Sequence, residues 1–187
     1  MKTQNQTMLS ENTLTSRPTD IIAGFPVRPG FFELNGATPL SNGVNFTAHT
    51  RHGTSCELLL FHSGEEEPFA VLPFPNACRI GDVYSMIVMG LDIEDLEYGY
   101  RIDGPYEPEK GHIFDKTKVL LDPYAKAVAG QREWGQQKIG SYHARVVRDS
   151  FDWEDMPQST RKISDLIIYE LHVRGFTQDS SSGVMHP

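Results

Sequence analysis

Apolar and polar positions divide the chain into a polar head, a middle of short apolar runs and an apolar close. Residues 1 to about 20 are rich in Thr, Asn, Gln and Ser and carry no periodic apolar face, which predicts a mobile tail. Gly43-Val44-Asn45-Phe46-Thr47-Ala48 then alternates. Val44, Phe46 and Ala48 share one side, the period of a half-buried strand. Residues 55–62 form a dense apolar run between Gly53 and Gly64, short enough for a central strand. Glu65-Glu66-Glu67-Pro68 reads as a solvated turn, and residues 69–74, 83–89 and 98–102 as further strands with Asp, Glu and Gly between them. Short strands at this spacing predict a β-sandwich. Past Gly104-Pro105 the pattern loosens. Asp122 followed by Pro123 and helix formers predicts a capped short helix reaching Val128. Residues 131–165 are mixed and polar, a connector with Trp134 and Trp153 as isolated anchors. Residues 166–173 are apolar without alternation, as expected of a strand covered on both faces in a parallel sheet.

Composition narrows this picture. The 187 residues hold one domain of ordinary size plus appendages. A net charge of −8, with acids and bases interleaved, argues against a nucleic-acid partner, which would draw Lys and Arg to one face. A neutral sugar polymer is compatible with it. The first residues lack the apolar core of a signal peptide and no run reaches membrane-spanning length, so no membrane partner and a cytoplasmic location are expected. Cys56 and Cys78 lie in or beside apolar runs. They are compatible with one disulfide, but a pair of buried free thiols in a reducing compartment is favoured, since nothing else suggests a disulfide-stapled scaffold.

One block is specific. Tyr98-Gly99-Tyr100-Arg101-Ile102-Asp103-Gly104-Pro105-Tyr106-Glu107-Pro108 continues through Gly111-His112 and Phe114 to Lys118-Val119-Leu120-Leu121-Asp122-Pro123-Tyr124-Ala125. Read from the residues, it is a strand, a Gly-Pro turn, an acidic and aromatic loop and a capped segment. In order and spacing it resembles the isoamylase-type glycogen-debranching enzymes of glycoside hydrolase family 13. Upstream, Pro39-Leu40, Gly43-Val44-Asn45-Phe46 and Glu57-Leu58-Leu59-Leu60-Phe61 are similar to the opening strands of the family 48 carbohydrate-binding module in those enzymes. Downstream, Ile168-Tyr169-Glu170-Leu171-His172-Val173-Arg174-Gly175-Phe176-Thr177 resembles the first strand of their barrel. Ile113 stands where the family usually has Arg, Asp115 where it has Asn, and Tyr84 where a Trp is common.

The resemblance implies an all-β fold: an immunoglobulin-like β-sandwich of the early-set type, with a C-terminal extension that begins a truncated (β/α)8 barrel. Expected boundaries are a disordered tail at 1–23, the sandwich at 24–130, a connector at 131–165 and the barrel start at 166–187. The implied parent hydrolyses α-1,6-glucosidic branch linkages in glycogen or limit dextrins. That chemistry needs two carboxylates about 5–5.5 Å apart across the scissile bond, which such barrels place on later strands. No position here matches them, so the expectation is a non-catalytic domain with no catalytic residue, cofactor or metal of its own. Its expected partners are α-glucan, through the parent, and its own barrel. A free-standing glycogen-binding module is the alternative reading, as is the front of a pullulanase or branching enzyme.

Local chemistry adds little. Asp103, Glu107 and Glu109 crowd a Gly-Pro turn but read as a solvated loop. Glu170 and His172 share a strand face and read as structural. His49 and His52 lack a third ligand at metal spacing. For sugar contact the candidates are Tyr98, Tyr100, Tyr106 and Phe114, since pyranose C–H faces pack on aromatic rings; rings within a strand are more often core than platform.

Overall fold

A computed structural model describes residues 17–130, 142–148, 152 and 160–185. It divides into two compact units, one ending at Asp149 and one running from Ser150. The first is a sandwich of two antiparallel sheets. One sheet has the order β1 (Asp20–Ile22), β2 (Phe25–Pro29), β8 (Val83–Met89), β4 (Gly43–His49), β3 (Gly36–Pro39), with β7 (Arg79–Ile80) also on β8. The other runs β12 (Ala127–Ala129), β13 (His143–Arg145), β9 (Leu96–Asp103), β5 (Ser55–His62), β6 (Ala70–Pro73). A small hairpin, β10 (Tyr106–Glu107) with β11 (His112–Ile113), stands apart from both. The all-β, immunoglobulin-like fold is thus as expected.

The core lies between the sheets. Val44, Phe46, Met86 and Val88 face inward from one, and Leu58, Leu60, Leu72 and Tyr98 from the other, all essentially solvent-free. Period-2 alternation of apolar residues is what makes this packing possible, because it puts every second side chain on the same face.

Five local expectations need correction. Strand β4 is buried on both faces rather than one, for Asn45 and Thr47 on its polar side are as buried as Val44. They are covered by the segment after β2: Asn45 Oδ1 accepts from the Phe31 amide at 2.8 Å, Asn45 Nδ2 donates to Thr47 Oγ1 at 3.0 Å, and the Thr47 and Ser85 hydroxyls meet at 2.7 Å. Polar side chains tolerate burial here because each finds a partner. Next, residues 20–22 belong to the sandwich and not to a tail. Ile22 pairs with Phe25 across a two-residue turn whose Ala23 and Gly24 both have positive φ (49° and 86°), the geometry that matches strand twist in tight hairpins. Residues 1–16 of the expected tail lie outside the described residues.

The helix expected after Asp122 does not form. The Asp122 carboxylate accepts from the Tyr124 amide at 2.8 Å and closes a turn, and residues 127–129 pair with β13 instead. Sheet pairing overrides a weak local preference. Strand β13 itself sits in the stretch read as connector, so the sheet extends past residue 130. In the second unit, Leu166 to His172 forms no strand among the described residues, and Ile167 is 99% exposed. A strand exists through its neighbours, and this run has none among the described residues of its unit. It ends at a short helix, Val173–Thr177, whose first turn is capped by His172 Nδ1 accepting from the Gly175 amide.

Cys56 and Cys78 are buried free thiols, the favoured of the two sequence readings. Burial, then the Glu57 charge, pushes Cys56 up to about 12; burial, then Asp20, pushes Cys78 up to about 11. In the unfolded chain both ionise first, near 9.0, so their contribution to stability is complete below that pH and is lost as pH rises through 11 and 12. Unfolding midpoints should therefore fall between pH 9 and 11, and at pH 8 DTNB should label both thiols only after urea is added. Asn45→Ala should lower the unfolding free energy by about 2–3 kcal/mol, because it strands the Phe31 amide; urea titration measures it.

Candidate carbohydrate-binding surface

Strand β9 supplies Tyr98 and Tyr100, two of the residues that the sequence singles out, and its alternation sends both to the core. Leu96, Tyr98 and Tyr100 point inward, opposite Leu58 and Leu60 of β5. Tyr98 packs edge-on against Phe46, with ring centroids 5.1 Å apart, and against Tyr100 at 5.8 Å. Its hydroxyl donates to Asp122 Oδ2 at 2.7 Å, and both groups are buried. Burial first, and then the Asp122 charge, pushes both tyrosine hydroxyls well above their ordinary value, so they stay protonated. Tyr98 and Tyr100 offer no ring face to a ligand. Both are core residues, not sugar contacts.

Tyr106 and Phe114 are elsewhere. The Gly104-Pro105 turn carries the chain out of the sheet into the β10–β11 hairpin, where Tyr106 lies directly across from Ile113. These side chains are 73% and 70% exposed. Phe114 is half-buried, its ring lying over Gly104 so closely that a Cβ there would come within 2.6 Å of it. Phe114, Ile102, Ile113 and Leu120 line an open cleft of about 350 Å³. A smaller recess of about 80 Å³ shares Ile102 and Leu120 and continues to Leu121, Pro123 and Tyr124. An exposed apolar strip therefore runs from the hairpin to Tyr124.

The strip is held by the buried carboxylate beneath it. Asp122 accepts from Tyr98 through one oxygen and from the Tyr124 amide through the other, while Leu120 exchanges both backbone hydrogen bonds with Tyr100 at 2.7 and 3.0 Å. The strand thereby fixes residues 120–124 at the surface. At the rim, Thr117 donates its hydroxyl and amide to Asp115 and holds that carboxyl below its usual range. Exposed apolar carbon with polar rims suits the C–H faces and hydroxyls of a sugar.

Asp103 accepts from the Gly104 amide at 2.9 Å, and Glu107 pairs with Lys110 at 2.9 Å. His52 packs on His112, ring centroids 4.6 Å apart, bracing the hairpin against the β4–β5 turn. Among the described residues no group of three His, Cys, Asp or Glu is placed to hold a metal ion. Glu170 and His172 lie in the second unit. Trp134 and Trp153 lie outside the described residues. Sequence reasoning missed Ile113, Leu120, Leu121 and Tyr124. The signal was present: three apolar residues at 119–121, followed by Asp-Pro-Tyr, with no strand period to bury them.

Residues 35–125, which contain this strip, match the family model for carbohydrate-binding module 48, the isoamylase N-terminal domain. These residues belong to the carbohydrate-binding module 48 family. Isoamylase SU1 of Zea mays is 35% identical over 179 residues, covering 89% of this chain and 22% of that protein. The glycogen debranching enzyme of Salmonella typhi is 35% identical over 156 residues, covering 76% of this chain and 23% of that protein. The chain thus spans about a fifth of the length of the curated relatives it matches. Among solved structures, the apo pullulanase of Paenibacillus barengoltzii is similar at 17% identity and a TM-score of 0.44, over 62% of this chain and 14% of that one.

Within the module, Asp122 is the residue on which the strip depends. Tyr98→Phe should destabilise the sandwich by roughly 1.5–3 kcal/mol, the worth of a buried hydrogen bond to a charged acceptor, in a thermal or urea unfolding experiment.

Proposed function

We propose that this chain is the sandwich domain of an isoamylase-type debranching enzyme, which hydrolyses α-1,6 branch linkages of glycogen or limit dextrins. On this reading the module contacts the α-glucan and does not itself cleave it. The observation that carries the proposal is the exposed strip from Tyr106 and Phe114 to Tyr124, set on the module that relates the chain to isoamylases and glycogen debranching enzymes. Aromatic and aliphatic carbon presented on a rigid hairpin supplies the stacking part of sugar binding, and a pre-formed surface keeps its entropic cost low.

The same reading places the strip's apolar carbon partly against a catalytic barrel, the second partner that the family relationship suggests. It also places the protein in the cytoplasm and in glycogen breakdown, in line with its two unpaired thiols. A free-standing glycogen-binding module would use the same rings. The two readings separate on whether the protein carries barrel sequence beyond this module.

The test is binding of maltoheptaose or β-cyclodextrin, measured calorimetrically and by retardation in glycogen-containing gels. Tyr106→Ala should weaken binding about tenfold without lowering the unfolding midpoint, since the side chain is largely exposed. Wild-type protein that migrates unretarded and gives no heat with either sugar would remove the glucan-contact role.

A further inference from the structure

The face of β5 and β9 turned away from the core is divided in two. Towards one end it is sealed: Phe61 is buried under the ring of His143, centroids 3.8 Å apart and nearly parallel, and His143 Nδ1 lies 3.1 Å from Glu97 Oε2. Towards the other end it is polar and open. The register sets Ser55 opposite Asp103 and Glu57 opposite Arg101, and residues two apart on a strand share a face. Lys116 and Thr117, from the segment after β11, close the third side of a concavity of about 480 Å³ lined by these six residues. That volume lies within the roughly 300–1,000 Å³ of small-molecule sites.

The polar groups in this cleft are only loosely satisfied by one another. Among the described residues, Arg101 and Glu57 are cross-strand neighbours that form no ion pair, and Arg101 Nε is buried without a hydrogen-bond partner. Lys116 Nζ reaches only to 3.9 Å from Asp103 Oδ2. The cleft therefore presents two cationic donors, two carboxylate acceptors and two hydroxyls. An anion entering it meets Glu57 and Asp103, and a cation meets Arg101 and Lys116. A neutral polyol is the ligand class that uses both sets, with its hydroxyls donating to the carboxylates and accepting from the guanidinium and ammonium.

We propose that the Ser55–Glu57–Arg101–Asp103–Lys116–Thr117 cleft is a second, purely polar subsite that seats one sugar residue of an α-glucan. The assignment rests on the glucan-binding reading given above and adds a site distinct from the apolar strip. Without an aromatic floor, this subsite orients a chain through hydrogen bonds, while the strip supplies the stacking surface. Asp103 is separated from Tyr106 only by the Gly104-Pro105 turn, so one short stretch of backbone carries residues of both sites.

The experiment titrates maltoheptaose into the isotopically labelled, intact chain by NMR and repeats the titration with variants. The backbone amides of Arg101, Asp103 and Thr117 should shift in parallel with those of the hairpin. Arg101→Gln should weaken binding about tenfold, and Lys116→Ala, at an exposed position tolerant of change, about threefold with an unaltered unfolding midpoint. If maltoheptaose binds and Tyr106→Ala weakens it, while the cleft amides stay fixed and Lys116→Ala has wild-type affinity, the polar subsite is wrong and the glucan-binding reading stands. If the wild-type chain shows no binding, both fall. Inorganic phosphate moving the same cleft amides on its own would mark an anion site and overturn the polyol assignment.

Discussion

A tyrosine hydroxyl and a carboxylate, both out of water, set the geometry of this domain. Tyr98 donates to Asp122 at 2.7 Å from the middle of a core strand, and Asp122 uses its other oxygen to hold the Tyr124 amide. An ionised carboxylate costs several kcal/mol to bury unless its lone pairs are filled. The site is therefore tolerable only with both partners in place. That requirement ties residues 120–124, which carry exposed Leu, Pro and Tyr, to a strand whose own position is fixed by the core. The apolar surface is tied to the core because the carboxylate beneath it is bonded to both Tyr98 and the Tyr124 amide.

The second organising feature is the two-residue period of β5 and β9. One face of each strand delivers Leu58, Leu60, Tyr98 and Tyr100 to the core, and the other delivers Ser55, Glu57, Arg101 and Asp103 to the cleft. Core and surface chemistry are thus written into alternate letters of the same segments. A one-residue slip would exchange them, burying four polar groups and exposing the tyrosines, so register here is enforced by the cost of both errors. The buried Asn45, Thr47 and Ser85 cluster performs a similar service across the opposite sheet, where three satisfied polar side chains hold the segment after β2 against β4 and β8.

The second unit shows the limit of local pattern. Residues 166–172 have the composition of a buried strand, and family resemblance gives them that role, yet they lie exposed and form no strand among the described residues. Ile, Tyr and Leu favour strands because they pack well on a pleated surface, and that preference is expressed only when neighbouring strands supply the surface. The same logic ran the other way at residues 127–129, where helix-forming letters became a strand because β13 offered a ladder.

The sequence by itself determined the strand-rich middle of the chain, the sandwich and the family resemblance, because alternation and motif spacing are local properties that survive without coordinates. It also marked Tyr106 and Phe114, which follow a Gly-Pro turn and so leave the sheet. It did not separate them from Tyr98 and Tyr100: all four are aromatic, and only the pairing of β9 with β5 decides which face a strand residue takes. The double burial of β4 and the meeting of Glu57 with Arg101 were decided by tertiary structure alone, and so was the gathering of Leu120, Leu121 and Tyr124 into one surface with the hairpin, although their apolar run was visible in the sequence. Each depends on which distant segment arrives to cover, or to leave open, a face that the chain merely presents.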